Sequence, residues 1–157
     1  MKLDNLDIKI MRILQKNSDR TIKSLAEELG VSTTPIFERI KKLKKEGYIS
    51  NYVARLNHKK LGLKQIVFIG ITLQGHTRSY LEKFVKETQG FPEVVECHRV
   101  SGNFDYLLKL VVKDIEAYEN FIITKLTLLP YLGNVQSLIT LSTGKETNEI
   151  DLGKLLN

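Results

Sequence analysis

The residues whose types and spacing best suit binding chemistry form a basic segment in the first third of the chain. In the stretch "GVSTTPIFERIKKLKKEGYI" (Gly30–Ile49), hydroxyl side chains precede several cations. Lysines on one helical face can bind phosphates, and polar side chains at a helix start can reach base edges. A charge run alone is more often a solvated helix face. The candidate DNA-binding residues are Ser32, Thr33, Thr34, Phe37, Glu38, Arg39, Lys41, Lys42 and Lys45.

A second candidate site is the turn "SGNFD" (Ser101–Asp105). Exposed N–H groups and a hydroxyl in such a turn can bind a carboxylate, and the carboxylate of Asp105 can pair with an ammonium group. These groups suit an amino-acid ligand. The alternative is that Gly102 and Asn103 close a hairpin that Asp105 caps. Because Asn103 is uncharged, it offers no negative charge to select a basic ligand.

The adjacent pair Cys97–His98 raises an enzymatic or metal-binding alternative. Neighbouring residues of a strand point to opposite faces, so the two side chains cannot readily act on one metal or substrate. The sequence has three histidines, no P-loop and no Gly-x-Ser-x-Gly pattern. We therefore predict a packed thiol at Cys97 and no enzyme, metal site or cofactor. His98 stays a candidate for the ligand site near Ser101–Asp105.

The distribution of charge supports a polyanion partner for the N-terminal part. Residues 1–60 contain 14 Lys/Arg and 7 Asp/Glu, a net charge of +7, whereas residues 61–157 contain 10 and 11, a net charge of −1. A charge that served solubility alone would be spread more evenly. The start of the chain lacks the pattern of a signal peptide, no apolar run is long enough to span a bilayer, and the single cysteine excludes an internal disulfide framework. These features predict a cytoplasmic protein.

The elements that would position the basic segment are three short helices. Asp4 and Thr21 are typical helix caps, and Gly30 suits the left-handed residue that ends a helix. A third helix begins within Ser32–Thr34, where Pro35 is tolerated in the first turn. At helical spacing its apolar stripe consists of Ile36, Ile40 and Leu43, and the opposite side consists of Thr34, Glu38, Lys41, Lys42 and Lys45.

The segment after the third helix completes a winged arrangement. Gly47 ends the helix, and Tyr48–Leu56 alternates like a strand. Three helices, a glycine turn and a strand form the plan of a winged helix-turn-helix, whose third helix enters the major groove of DNA. Tyr48 and Tyr52 are interpreted as packing residues of the wing.

The rest of the chain alternates strands and helices. Strands are predicted at Gln65–Leu73, Glu93–Val100, Phe104–Val112 and Asn134–Ser142, and helices at Thr77–Gly90 and about Ile115–Leu129. The order βαββαβ is ferredoxin-like, an antiparallel sheet with helices on one face. Apolar residues on both sheet faces predict that a second copy covers the other face.

Two stretches resemble a known family. "LDNLDIKIMRILQKNSDRTIKSLAEELGVSTTPIFERIKKLKKEGYI" followed by "ECHRVSGNFDYLLK" is similar to the Lrp/AsnC family of feast/famine transcription regulators, and closer to its leucine-responsive branch. The resemblance implies a winged helix-turn-helix joined to a ligand-sensing (RAM-type) domain. It also implies dimers that assemble further, to an octamer, and an amino-acid effector near the turn Gly102–Asp105. The effector residues are then His98, Ser101, Gly102, Asn103, Phe104 and Asp105.

The prediction is an α+β chain with four parts. Residues 1–55 form the winged helix-turn-helix, 56–64 a linker, 65–145 the ferredoxin-like domain and 146–157 a tail. The expected partners are double-stranded DNA, a neutral amino-acid effector such as leucine or methionine, and further copies of the chain. Two alternatives are a stand-alone amino-acid sensor, which the +7 charge of residues 1–60 disfavours, and a small enzyme, for which no acid–base or nucleophile arrangement is present.

Overall fold

The first helix begins at a reciprocal pair of hydrogen bonds. In the computed structural model, which describes residues 2–75 and 77–153, helix α1 covers Asn5–Lys16. The Asp4 carboxylate accepts the N–H of Asp7 at 2.9 Å, and the Asp7 carboxylate accepts the N–H of Asp4 at 3.1 Å. This capping box satisfies two N–H groups that have no partner within the helix. The predicted cap at Asp4 is confirmed.

Helices α2 (Ile22–Leu29) and α3 (Thr33–Lys45) follow through a glycine turn. The Thr21 side chain caps α2, and Gly30 ends it with φ of 66°, in the left-handed region that glycine adopts without strain. Ser32 precedes α3 but makes no side-chain capping hydrogen bond. The three helices share a core of Ile10, Leu14, Leu25, Ala26, Ile36 and Leu43.

The C-terminal segment packs with the helices. Residues 2–55 and 145–153 together form one compact unit, here called the first unit, and residues 56–75 and 77–144 form the second unit. The amide of Gln15 donates to the carbonyl of Ile150 at 2.9 Å and accepts its N–H at 3.0 Å. Arg55 pairs with Glu146 at 3.0 Å. The last four residues of the predicted tail, 154–157, lie outside the described residues.

The predicted strand at Tyr48–Leu56 is wrong. This segment contains no regular strand; the N–H of Ile49 bonds back to the carbonyl of Leu43 at the end of α3. Alternation of side chains predicts a half-buried extended chain, but a strand also requires a neighbouring strand for its N–H and C=O groups. The contacts of Arg55 with Glu146 involve a side chain and do not form a ladder.

The second unit has the predicted βαββαβ order. Its elements are β1 (Gln65–Leu73), α4 (Arg78–Thr88), β2 (Val94–Arg99), β3 (Tyr106–Val112), α5 (Ile115–Thr124) and β4 (Leu132–Ile139). The four strands form an antiparallel sheet in the order β2-β3-β1-β4. One sheet face packs against the two helices, in a core that includes Val67, Ile69, Ile71, Phe84, Leu108, Leu110 and Phe121.

Several element ends differ from the predictions. Helix α5 ends at Thr124, and a short 3-10 helix covers Leu126–Leu128, so the predicted single helix to Leu129 was too long. The last strand begins and ends earlier than predicted, at Leu132 and Ile139. No helix among the described residues is long and apolar enough to cross a membrane.

The sheet face opposite the helices carries several apolar residues and has no cover within the second unit. Alternate residues of β1 and β3 point there, among them Phe68, Leu107 and Val111, which are half-buried. On β4, Leu138 lies opposite Phe68 and is 48% exposed. This surface is here called the open face. An apolar sheet surface of this kind is typical of an association site.

Candidate DNA-binding face and ligand turn

Helix α3 separates into a buried and an exposed side, as predicted. Ile36 and Leu43 are fully buried, whereas the predicted outward residues Thr34, Glu38, Lys41, Lys42 and Lys45 are all exposed. The hydroxyl residues Ser32 and Thr33 at its start are exposed as well. The exposed side therefore presents hydroxyls at the first turn and lysines further along, an arrangement that fits a helix in a major groove.

Arg39 lies at the border of this side and pairs with two carboxylates of α1. Its Nη1 is 2.7 Å from Asp7 Oδ1 and 2.6 Å from Asp4 Oδ2. Asp7 is 3% exposed, and the Arg39 cation offsets part of the cost of burying its carboxylate. Hydrogen bonding to Asp7 and Asp4 raises the pKa of the Arg39 guanidinium, and the N–H of Asp7 is the main cause that lowers the pKa of Asp4. Arg39 thus joins α3 to the start of α1.

Phe37 is an exposed aromatic residue on the other border of the same side. Its side chain is 49% exposed and lines an open groove of about 340 Å³ together with Ile22, Tyr52 and Lys44. Lys44 Nζ lies 4.3 Å from the centre of the Tyr52 ring, a cation–π contact. Tyr52 therefore packs against α3, as predicted. An apolar ring in the position of Phe37 can contact a thymine methyl group.

The turn Ser101–Asp105 joins β2 to β3. Its tip is exposed, and Gly102 has a φ of 120°, a conformation that side-chain-bearing residues rarely adopt. Asp105 is held at two points by β1: its N–H donates to Ile71 O at 2.8 Å, and its carboxylate accepts the N–H of Leu73 at 2.8 Å. The carboxylate therefore has a structural role, and any ligand role of Asp105 is additional to it.

Phe104 and His98 lie beside this turn. The ring of Phe104 covers Gly70 so closely that a Cβ there would come within 2.7 Å of ring carbons. His98 pairs in register with Leu107, which places it on the open face, and its Nε2 lies 3.1 Å from Glu96. Glu96 also binds Lys109 at 2.8 Å, and hydrogen bonds from Lys109 and His98 lower the pKa of its carboxyl group. Phe104, Asp105 and His98 thus lie at the same end of the sheet.

Cys97 points away from His98. It packs on the helix side of the sheet, where the hydroxyl of Thr88 lies 3.7 Å from its sulfur. Burial raises the pKa of the Cys97 thiol, which keeps it in its less reactive protonated form. The prediction that the two neighbours face opposite sides of the sheet is confirmed.

Comparison with known proteins identifies the family from both units. The family described as winged helix-turn-helix DNA-binding matches residues 3–50, and the Lrp/AsnC ligand binding domain matches residues 66–150. The chain belongs to the Lrp/AsnC family. Members of this family are DNA-binding transcription regulators with an amino-acid-binding domain, and they are not enzymes.

Individual Lrp/AsnC proteins match over nearly the whole chain. The leucine-responsive regulatory protein of Haemophilus influenzae is 38% identical over 146 residues, which are 93% of this chain and 88% of that protein. The Bkd operon transcriptional regulator of Pseudomonas aeruginosa is 34% identical over 142 residues, 90% of this chain and 93% of its own.

Two solved structures of the family are also similar. A Neisseria meningitidis transcriptional regulator in complex with L-Met has a TM-score of 0.94 and 30% identity, covering 98% of this chain and 99% of that one. An AsnC family regulator of Agrobacterium tumefaciens has a TM-score of 0.91 and 39% identity, covering 97% of this chain and 99% of that one. The predicted fold, a winged helix-turn-helix followed by a ferredoxin-like domain, is confirmed.

Two structural partners of the candidate sites were missing from the sequence interpretation. Asp7 holds Arg39, although its position in the first turn of α1 indicated only a favourable helix dipole. Gly70 receives the ring of Phe104. A lone glycine inside an apolar strand often marks such a close approach, so the sequence contained a usable indication of Gly70.

Proposed function

We propose that the chain regulates transcription by binding specific DNA through the exposed side of α3, in response to a neutral amino acid bound near Ser101–Asp105. The observation that most supports DNA binding is the division of α3 into a buried apolar stripe and an exposed side with Lys41, Lys42 and Lys45. As a DNA-binding regulator it would act in the cytoplasm. The other proposed contacts on this side are Ser32, Thr33, Thr34, Phe37 and Glu38. Arg39 is proposed to contribute by orienting α3 through its pairs with Asp7 and Asp4.

The proposed DNA contacts divide into two kinds with different consequences. Replacing Lys41 or Lys42 by alanine is expected to weaken binding to all sequences and to lower the slope of log K against log salt by about one. Replacing Thr34 or Glu38, at the start of the helix, is expected to change sequence preference with little change in slope. Fluorescence anisotropy with selected and mixed DNA measures both. A uniform loss for all four substitutions would contradict this docking of α3.

The proposed effector site uses the chemistry of the turn. N–H groups and the hydroxyl at Ser101–Asn103 bind the effector carboxylate, and Asp105 pairs with its ammonium group. Phe104 and His98 supply neighbouring apolar and polar surface. The similar Neisseria structure holds L-Met, and several relatives are named for leucine, which supports a neutral effector of this size.

A thermal-shift screen of the intact protein against the twenty amino acids tests this site. A ligand at 100 times its dissociation constant adds about 2.7 kcal/mol to the free energy of unfolding, which is well above the detection limit. We expect leucine or methionine to raise the melting temperature and lysine and arginine to have no effect. Stabilisation by a basic amino acid, or by none of the twenty, would contradict the proposal.

The proposed assembly is a dimer formed through the open face, with dimers associating to an octamer. Half-buried Phe68, Leu107 and Val111 would then be covered by the same residues of a second copy. The substitution Leu107→Glu places a charge in this surface and is expected to convert the dimer into a monomer in light scattering. Ile123→Glu, on the exposed side of α5, is the control and should leave the dimer intact. A dimer that tolerates Leu107→Glu would exclude the open face as its interface.

A further inference from the structure

The segment that enters the second unit is a fixed basic turn. The side chain of Asn57 accepts the N–H of Lys60 at 3.1 Å, and the N–H of Leu63 donates to the carbonyl of His58 at 2.9 Å. The ring Nδ1 of His58 lies 2.7 Å from the carbonyl of Leu63, and Gly62 closes the turn with a φ of 81°. The predicted linker 56–64 therefore includes an ordered turn, Asn57–Gly62, here called the basic turn.

Its charge differs from that of the rest of the second unit. Residues 56–64 contain three lysines and no acidic residue, whereas residues 65–144 contain seven Lys/Arg and eight Asp/Glu, a net charge of −1. The lysines are Lys59, Lys60 and Lys64, and all three are exposed. The positive surplus of the second unit is thus concentrated at its first nine residues.

These lysines also differ in pairing. Five of the seven cations in residues 65–144 lie within 4.0 Å of a carboxylate: Arg78, Lys83, Lys109, Lys113 and Lys125. None of the ion pairs found within residues 2–75 and 77–153 involves Lys59, Lys60 or Lys64. Lys64 lies outside the basic turn and interacts electrostatically with the carboxylate of Asp114. Lys59 and Lys60, which the turn itself holds, are therefore the lysines suited to an external anion.

The basic turn is joined to the first unit by a short stretch of chain. Lys59 lies four residues after Arg55, which is the last residue of the N-terminal segment of the first unit. A fully extended chain of four residues spans at most about 14 Å, and this limit holds for every arrangement of the two units. DNA presents one phosphate charge about every 1.7 Å of its axis, so a duplex bound by the first unit is a dense source of anions for lysines joined to that unit by so short a stretch of chain.

We infer that the basic turn is a second DNA contact, in which Lys59 and Lys60 bind backbone phosphates of the duplex that α3 reads. This inference rests on the proposed DNA binding through α3 and extends the contact to the second unit. Because phosphates carry no base identity, the contact adds affinity and salt dependence for every sequence equally.

The test compares two double substitutions in the full-length chain. Lys59→Gln/Lys60→Gln removes the two charges from the basic turn, and Lys83→Gln/Lys86→Gln removes two charges from α4 as a control. Anisotropy titrations use a 40-base-pair duplex of mixed sequence at salt concentrations from about 50 to 200 mM. If each lysine meets one phosphate, the salt slope of the first variant is smaller by about two. Raising the salt across this range then weakens its binding about tenfold less than it weakens binding by wild type.

The salt slopes of the two variants distinguish a phosphate contact at the basic turn from a general effect of net charge. A reduced slope for the Lys59/Lys60 variant alone supports it. An unchanged slope, or an equal reduction in the α4 control, overturns it, the second because it would reflect the net charge alone. The variant Lys41→Ala/Lys42→Ala in the same titration separates the two proposals. If only this variant has a lower slope, α3 binds DNA and the basic turn does not; if neither variant differs from wild type, both proposals fail.

Discussion

Replacing Arg39 by methionine is expected to lower the free energy of unfolding by about 3 kcal/mol, the lower end of the range for breaking a buried ion pair. The guanidinium lies 2.7 Å from Asp7, whose side chain is 5% exposed, and 2.6 Å from Asp4. Methionine keeps much of the aliphatic packing but leaves the Asp7 carboxylate without its cation. Because the Arg39 side chain is itself 32% exposed, water can reach part of the site, which limits the loss. Urea unfolding followed by circular dichroism measures it.

Arg20→Met is the matched control. Arg20 pairs with Glu28 at 2.5 Å, but the Glu28 side chain is 46% exposed, so the loss should stay below about 1 kcal/mol. Equal losses of unfolding free energy for the two variants would show that the Arg39–Asp7 pair stabilises the protein no more than an exposed ion pair does.

The same variant tests whether Arg39 touches DNA. Its charge is matched by two carboxylates of the first unit. We expect Arg39→Met to weaken DNA binding by misplacing α3. The salt slope should stay unchanged, whereas loss of a phosphate contact would lower it by about one. A slope reduced by about one would instead show that the guanidinium also binds a phosphate.

The parts of the fold that the sequence predicted well depend on local interactions. Asp4 and Thr21 cap helices that begin at the next residue, and Gly30 adopts the left-handed backbone conformation that ends α2. The stripe of Ile36, Ile40 and Leu43 follows from helical periodicity alone. In each case the determining atoms lie within four residues along the chain.

The parts that the sequence did not predict depend on distant partners. Gln15 and Ile150 are 135 residues apart, and their two hydrogen bonds tie the C-terminal segment to α1. The alternation of Tyr48–Leu56 could not reveal that no strand lies beside it. The candidate residues Arg39 and Asp105 each contact a residue 32 positions away, so their structural roles could not be predicted from the sequence.

Asp105→Asn is expected to shift the response to effector concentrations about one to two orders of magnitude higher while it preserves the turn. Asparagine retains a side-chain oxygen that can accept the N–H of Leu73, now 2.8 Å from the carboxylate, but it lacks the charge that would pair with an ammonium group. A hydrogen bond to a charged group contributes about 1.5–3 kcal/mol, so effector affinity should fall by one to two orders of magnitude. Asp105→Ala removes both functions, and leaving the N–H of Leu73 unpaired should also reduce stability without ligand by about 1–2 kcal/mol.

The two variants together separate ligand binding from support of the turn. An effector that binds at this turn between dimers changes only the contacts that it touches, so it acts through assembly, with a coupling free energy of about 1–3 kcal/mol. In titrations with leucine and methionine, followed by thermal shift, light scattering and DNA binding, Asp105→Asn should therefore change particle mass only at effector concentrations about one to two orders of magnitude above those for wild type. The affinity of one dimer for one short operator should equal that of wild type. If Asp105→Asn responds normally and only Asp105→Ala fails, Asp105 acts through Leu73 and the effector's ammonium group binds elsewhere.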